Sequence, residues 1–533
     1  MNGKKRSTVS IAVDAIWMLA RGHNTTEGRP RRRTPRALAQ RTGLGALRWW
    51  AAPLAVAVLC AAAMSSGAQT SGTFTTLVDF NGTDGHEPEA PLVQGTDGNL
   101  YGVTLQGGGT TACSDGCGAV FRVKPGGTLT TLYRFCASQN CADGFNPLAG
   151  LTLGTDGSFY GTTYGGGTVG WGTVFKITRD GRLTTLHSFA GYPNDGALPY
   201  AGVLQATDGN LYGTSSEGGS SLACQFGCGT VFKMTPEGTL TILHSFDRTD
   251  GSFPASGLVQ AIDGSLYGTT DDGGTSTHGT VFRITSPGNT LTTLHSFEGN
   301  DGANPAGTLV QASGGSFDGA AYNGARDAKL CAIGGDASCG TLFRITPQGT
   351  FTTLHFFDGT DGGHPPGALV QATDGNLYGT TSVGGTYNNG TIFKMTAGGA
   401  ITTLHRFDGN DGFLVAGGLV QATNGTFYGV TLEGGRSSSC LGGCGTIFSE
   451  NVGLGPFVTT LPTSRKVGQR VAILGNNLTG TTSVTFNGTP ATFTVVSSTE
   501  IATTVPSGAT TGTVRVVTPS GTLSSNVPFR VRP

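Results

Sequence analysis

Ten of the 11 cysteines fall into five close pairs, Cys113/Cys117, Cys136/Cys141, Cys224/Cys228, Cys331/Cys339 and Cys440/Cys444. Such pairs suit local disulfides in an oxidising compartment, or a zinc site if four thiolates meet at one point. The pairs lie in different stretches of the chain, most with no His beside them, which favours disulfides closing short loops. His187, His244, His295, His355 and His405 form a second set, each inside LHSF or a variant of it. The carboxylate pairs Glu298/Asp301, Asp358/Asp361 and Asp408/Asp411 form a third, spaced three apart in Gly-rich turns. Oxygen ligands so placed could hold Ca²⁺, but the pattern departs from D-x-[DN]-x-[DN]-G-x5-E and lacks its distal Glu. Asp-Gly turns explain them without an ion, so no cofactor is expected and calcium is the one candidate. There is no G-x-S-x-G elbow, H-E-x-x-H, phosphate loop or dinucleotide fingerprint.

These residues recur because the chain repeats. LVQATDGNLYGTT, a variable Gly-rich loop, GTVFKIT, a Pro/Gly turn and GTLTTLHSFDGTDG return in seven copies every 50 to 61 residues. The Tyr of LYG falls at Tyr101, Tyr160, Tyr212, Tyr267, Tyr378 and Tyr428, with Asp318 in the fifth copy. Each copy holds four short runs of strand character divided by DG, GG and PxG turns, and nothing repeats at helical spacing. The spacing therefore predicts an all-β fold, a seven-bladed β-propeller of four-stranded blades over 73–450. The first LTTLHSF-type run, TFTTLVDF, precedes the first complete copy, and the last copy stops after GTIFSE. Residues 73–80 should then complete the final blade and close the ring, where an open stack would leave two bare sheet edges.

A residue used alike in every copy sits at equivalent points around such a ring, so the histidines, the LYG Tyr and the GTVF Phe read as packing. A site should instead show as broken symmetry. The fifth copy breaks most: SFDGAAYNGARDAKLCAIGGDASCG brings Asp318, Arg326, Asp327 and Lys329 to one longer loop, the candidate binding residues, with decay of one repeat as the competing explanation.

The formal charge of −1 hides an asymmetry. Residues 1–68 carry a net +9, leaving 21 basic and 31 acidic residues in the remainder, a net of −10. That balance argues against nucleic acid as a partner. WWAAPLAVAVLCAAAM, followed by SSGA, reads as a secretory signal peptide at the end of a basic leader, with an uncleaved signal anchor or a start at Met18 as alternatives. After cleavage no membrane association is expected, and the product would be secreted or held at the cell surface.

GLVQATDGNLYGTT and GTVFKITPxGTLTTLHSF resemble the repeat of the bacterial GloVer proteins, a tandem-repeat family described as carrying a choice of anchor. The resemblance implies export or surface association and no defined activity. Residues 456–531, with GQRVAILGNNL, VTFNGTPATF and closing VPFRV, look like an IPT/TIG domain, an immunoglobulin-like β-sandwich. The reading is an exported, non-catalytic binding protein that recognises a glycan or another surface protein through propeller loops. The alternative is a carbohydrate-active lyase or hydrolase sited at the channel mouth. Copy-specific polar residues converging there would favour catalysis, and one small residue repeated seven times would favour binding or a structural role.

Overall fold

A computed structural model describes residues 72–285, 288–324 and 338–533. The basic leader and signal peptide expected over residues 1–68, together with Arg326, Asp327, Lys329 and Cys331, lie outside the described residues. Short strands joined by turns and loops make up the regular structure of the described residues, apart from one short 3-10 turn at Gln139–Cys141.

Seven four-stranded antiparallel sheets make up the repeat region. In the first, Val93–Gln94, Leu100–Thr104, Ala119–Val123 and Leu129–Arg134 pair in chain order. Five further sheets follow the same scheme. The last takes its fourth strand from the start of the chain, for Thr73–Asp79 pairs antiparallel with Thr446–Asn451, Thr73 opposite Asn451. The LYGTT strands are buried along their whole length, which is why they show no alternation of apolar and polar residues. Within each sheet the GTVF ring covers the Gly of LYG: a side chain at Gly102 would run into Phe121 and Leu92, so only glycine fits there.

Successive sheets meet through one repeated contact. The Phe that ends each fourth run stands edge-on to the GTVF ring of the next sheet, as in Phe135–Phe175, Phe189–Phe232, Phe246–Phe282, Phe297–Phe343, Phe357–Phe393 and Phe407–Phe448, with centroids 5.3–5.5 Å apart. Phe80 and Phe121 make the same contact at 5.4 Å, and Phe80 follows the strand that completes the last sheet. A second series uses the Gln of LVQ, which accepts a turn N–H from the preceding sheet: Gln205 from Thr155, Gln260 from Thr207, Gln371 from Ser313 and Gln421 from Thr373. Gln94 of the first sheet accepts in the same way from Thr423 of the last, at 2.9 Å.

Residues 456–531 form two further four-stranded sheets around Val471, Ile473, Val484, Phe486, Ile501, Val514 and Phe529. Alternation of buried and exposed positions along Val514–Thr518 is that of a sandwich strand with one face inward. This sandwich abuts the hairpin turns of the first and last repeat sheets: Thr499 donates to the carbonyl of Thr96, and Asn476 to the hydroxyl of Thr423.

Candidate functional site

The residues that repeat in every sheet are engaged with one another. His187, His244, His295, His355 and His405 each place Nε2 2.6–3.0 Å from a carboxylate of the following loop, Asp195, Asp250, Asp301, Asp361 and Asp411. Tyr133 takes the histidine's part with Asp143. In the first copy Val78 stands there, and burial raises the pKa of the counterpart carboxylate, Asp84. Burial acts to raise Asp195, Asp301 and Asp411 too, but hydrogen bonds from the histidine and from backbone N–H groups hold all three below the usual carboxylate range.

The proposed calcium pairs are part of these turns. Asp361 accepts from the N–H of Asp358, Asp301 from that of Glu298 and Asp411 from that of Asp408, while Asp358 and Asp408 accept from further N–H groups of the same loop. Both oxygens of Asp301, Asp361 and Asp411 thus accept from the histidine or the turn, and Oδ1 of Asp358 and Asp408 from backbone N–H groups, as in hydrogen-bonded Asp turns.

Four of the expected disulfides are formed, Cys113–Cys117, Cys136–Cys141, Cys224–Cys228 and Cys440–Cys444, and Cys339 is also disulfide-bonded. Separation along the chain proved a poor guide to separation in space, since the Sγ atoms of Cys113, Cys117 and Cys136 lie within 4.8 Å of one another. All three are tied up in bonds to sulfur.

Of the four candidate residues in the fifth copy, Asp318 is described. It is buried and holds Arg344 through two hydrogen bonds of 2.7 and 3.0 Å. In other copies the carboxylate comes from the TDG turn: Asp156, Asp208 and Asp374 each accept from the LYG tyrosine and from a lysine, Lys176, Lys233 or Lys394. Gly314 replaces that turn Asp in the fifth copy, so Asp318 supplies the missing charge from the strand.

Among the described residues, a further departure from symmetry lies at the loop end of the sheets. In every copy the loop entering the two-residue first strand bears a residue in the left-handed region: Glu87, Asn146, Leu198, Phe253, Asn304, His364 and Leu414, with φ of 52–57°. Non-glycine residues reach this conformation at a cost of about 1 kcal/mol or more, so the surrounding structure must hold them there. It does so identically seven times, the carbonyl of each accepting at 2.9–3.2 Å from the residue after the second strand: Leu105, Tyr164, Ser216, Asp271, Tyr322, Ser382 and Leu432. One backbone frame therefore presents seven pairs of side chains at the same end of the sheets as the disulfide loops.

Three of these side chains also tie neighbouring copies together. Asn146 donates to the carbonyl of Leu105 and Asn304 to that of Asp271, and His364 Nδ1 lies 3.1 Å from that of Tyr322. Two residues further along, the equivalent positions read Glu89, Leu148, Tyr200, Ala255, Ala306, Pro366 and Ala416. Glu89 and Tyr200 are the polar exceptions. Tyr200 lies edge-on to Tyr164 at 5.6 Å and 5.8 Å from Phe253. Burial pushes Glu89 up to about 8, with the charge of Glu87 adding to the effect, and Oε2 of Glu89 is buried without a hydrogen bond. Burial raises Glu87 and Asp271 to about 7, assisted by Glu433 and Asp115 in the first case and by Asp272 in the second. Tyr200 is raised by burial and by the nearby charges of Glu89 and Asp271, which places those three groups in one neighbourhood. The sequence reading missed this cluster. Its signal was available in the columns before and after the Pro that follows the DG turn, where Glu87, Glu89 and Tyr200 stand out.

The chain matches the Gloeobacter/Verrucomicrobia repeat in four overlapping stretches, residues 67–223, 111–330, 222–448 and 328–485, and the IPT/TIG domain over 456–531. No curated protein matches it. Among solved structures, a fungal alcohol oxidase of the AA5 family, in complex with copper, is 14% identical with a TM-score of 0.51, the match covering 87% of this chain and 100% of that one. The extracellular domain of BT4673 from B. thetaiotaomicron is 10% identical with a TM-score of 0.45, over 87% of this chain and 58% of that one. The gluconolactonase XC5397 from Xanthomonas campestris is 15% identical with a TM-score of 0.37, over 60% and 88%. At these identities the oxidase speaks to fold alone. With its repeat matched across most of its length, the chain belongs to the Gloeobacter/Verrucomicrobia repeat family and carries an IPT/TIG domain after the repeats.

Proposed function

We propose that the protein is an exported binding protein whose repeats close into a seven-bladed propeller and whose ligand is received at the loop end around Glu89 and Tyr200. The supporting observation is the contrast in symmetry: the groups that join sheet to sheet repeat, while the pair of residues at two facing positions of that end changes from copy to copy, Asn with Tyr in the second and fifth being the one combination used twice. Variation on a rigid repeated frame is how recognition surfaces are built. Contacts between the first and last sheets, Phe80–Phe121 and Gln94–Thr423, repeat those between neighbours and support closure. Disulfides on short loops support passage through an oxidising compartment, in keeping with the apolar run that ends the leader. The ligand class is a glycan or a surface protein. The IPT/TIG sandwich meets the opposite, hairpin end of the sheets, away from the variable end.

A second reading has its own observation. Carboxyl groups that keep a proton near pH 7, as Glu89 and Asp271 do, can serve as general acids in glycoside cleavage. An array of immobilised glycans and bacterial surface proteins, probed with the secreted chain and scored for both retention and cleavage, separates the two. The binding reading expects retention of intact ligand, lost in Tyr200→Ala. Cleavage would replace it with the catalytic one, and the absence of both would leave a structural role.

A further inference from the structure

Two features that suit an ammonium group meet around Glu89, namely carboxyl oxygen that can give up its proton to a cation and an aromatic face. We propose that the loop end formed by Glu87, Glu89, Tyr164, Tyr200, Phe253 and Asp271 binds an organic ammonium group, an inference that rests on the binding reading above and names its ligand chemistry. Glu89 Oε2 is enclosed by protein yet accepts no hydrogen bond, an acceptor left for a donor from outside. Tyr200, close enough to feel the charge of Glu89, stands with Tyr164 and Phe253 in a continuous aromatic wall, with centroids 5.6 and 5.8 Å apart. Ring faces and carboxylates together suit an N–H-bearing or quaternary nitrogen.

Among the described residues, most of the charges that act on these groups are acidic. Glu433 and Asp115 act on Glu87, Glu87 acts on Glu89, Asp272 acts on Asp271, and Glu217 acts on Tyr164; all are acidic. His86 lies 3.7 Å from Glu87, but burial lowers its pKa and favours the neutral ring. Arg248 and His278 act on Asp272, at the rim. A bare metal ion fits less well. Among the described residues the one cluster of three or more possible ligand atoms within 4.8 Å is that of Cys113, Cys117 and Cys136, so the carboxylates are spread too widely for a single coordination shell. An ammonium group on a carbon frame bridges such spacings with several N–H donors, and the acidic balance of the chain beyond the leader draws cations in.

The test is titration calorimetry on the secreted chain with disulfides intact, using Nα-acetyl-lysine amide, a glucosamine pentamer and the N-acetylglucosamine pentamer. At least one ammonium probe should bind 10-fold or more tightly than the neutral pentamer at pH 8. The heat should depend on the buffer, since a cation beside protonated carboxyls expels protons on binding. Glu89→Gln, which keeps shape and removes charge, should weaken binding at least 10-fold, and Tyr200→Phe should retain it through the ring face. Binding of the lysine derivative alone points to a protein partner, and of the glucosamine pentamer alone to an aminosugar; either supports the inference. Equal binding of both pentamers overturns the ammonium inference and leaves the binding reading standing. Failure of every ammonium probe overturns it too, and the array result then decides whether any ligand is bound.

Discussion

At the residue scale, identical side chains do opposite things according to whether a donor faces them. Asp195, Asp301 and Asp411 are held low by histidine and backbone N–H groups after burial is overcome, so they favour the folded state above their unfolded pKa of about 4. That contribution disappears as pH falls through their lower folded values. Among the described residues no histidine or backbone N–H lowers Glu87, Glu89 or Asp271, Asp271 having only a hydrogen bond from the Asn304 side chain, and burial raises them to about 7 to 8 when folded. The folded state keeps protons that the unfolded chain releases above about pH 4.3, and so their effect runs the other way. Stability should be greatest near pH 5 and fall toward pH 8, each group contributing a slope of up to about 1.4 kcal/mol per pH unit in its interval. Denaturant titrations of the wild type and Glu89→Gln at pH 5, 6.5 and 8 check this. The variant should show a shallower decline, and parallel curves would mean that Glu89 titrates in the folded protein as it does in the unfolded one.

At the element scale, the fifth sheet shows how a repeat absorbs a change. The turn carboxylate is lost at Gly314 and returns on the strand as Asp318, opposite Arg344 in the ladder. A buried carboxylate stripped of its cation is costly, so Arg344→Met should lose about 3–5 kcal/mol. Adding Asp318→Tyr, which restores the ring used in other copies, should recover most of that. Chemical denaturation of the single and double variants measures the difference, and additive losses would show that the two residues are not coupled. The pair also marks how far a linear reading reaches. Strand number, turn positions and the packing roles of Phe and Tyr were legible because each column repeats. The histidine's partner was not, because Asp250 or Asp361 lies past a turn whose geometry sets the distance. Asp318 drew attention as a broken column, yet its partner Arg344 sits in a column that holds Lys or Arg in several other copies. Glu89 and Tyr200 escaped notice because a loop column of Leu, Ala and Pro has no pattern to break until the fold brings the copies side by side.

At the scale of the whole molecule, the proposed closure of the repeats into a ring is what would make the variable loop end a site instead of a row of separate turns. In an open array Glu89, in the first copy, would be remote from Asp271 in the fourth, and the charges that Tyr200 feels together would be dispersed. Completion of the last sheet by Thr73–Asp79 also ties together segments nearly the full length of the repeat region apart, so unfolding of either end should release both. Thr73 and Asn451 are register partners and both exposed, so cysteines placed there can join without disturbing the core. Thr73→Cys/Asn451→Cys should oxidise to an intramolecular bridge, visible as a 73–451 linked peptide in the monomer. By the chain-entropy relation the loop it closes is long enough to stabilise the fold by as much as about 6 kcal/mol, less any misfit at the bridge. Bridges forming between molecules, or cysteines staying reduced in a folded chain, would place the two ends apart, and the loop-end site would then lose the ring that assembles it.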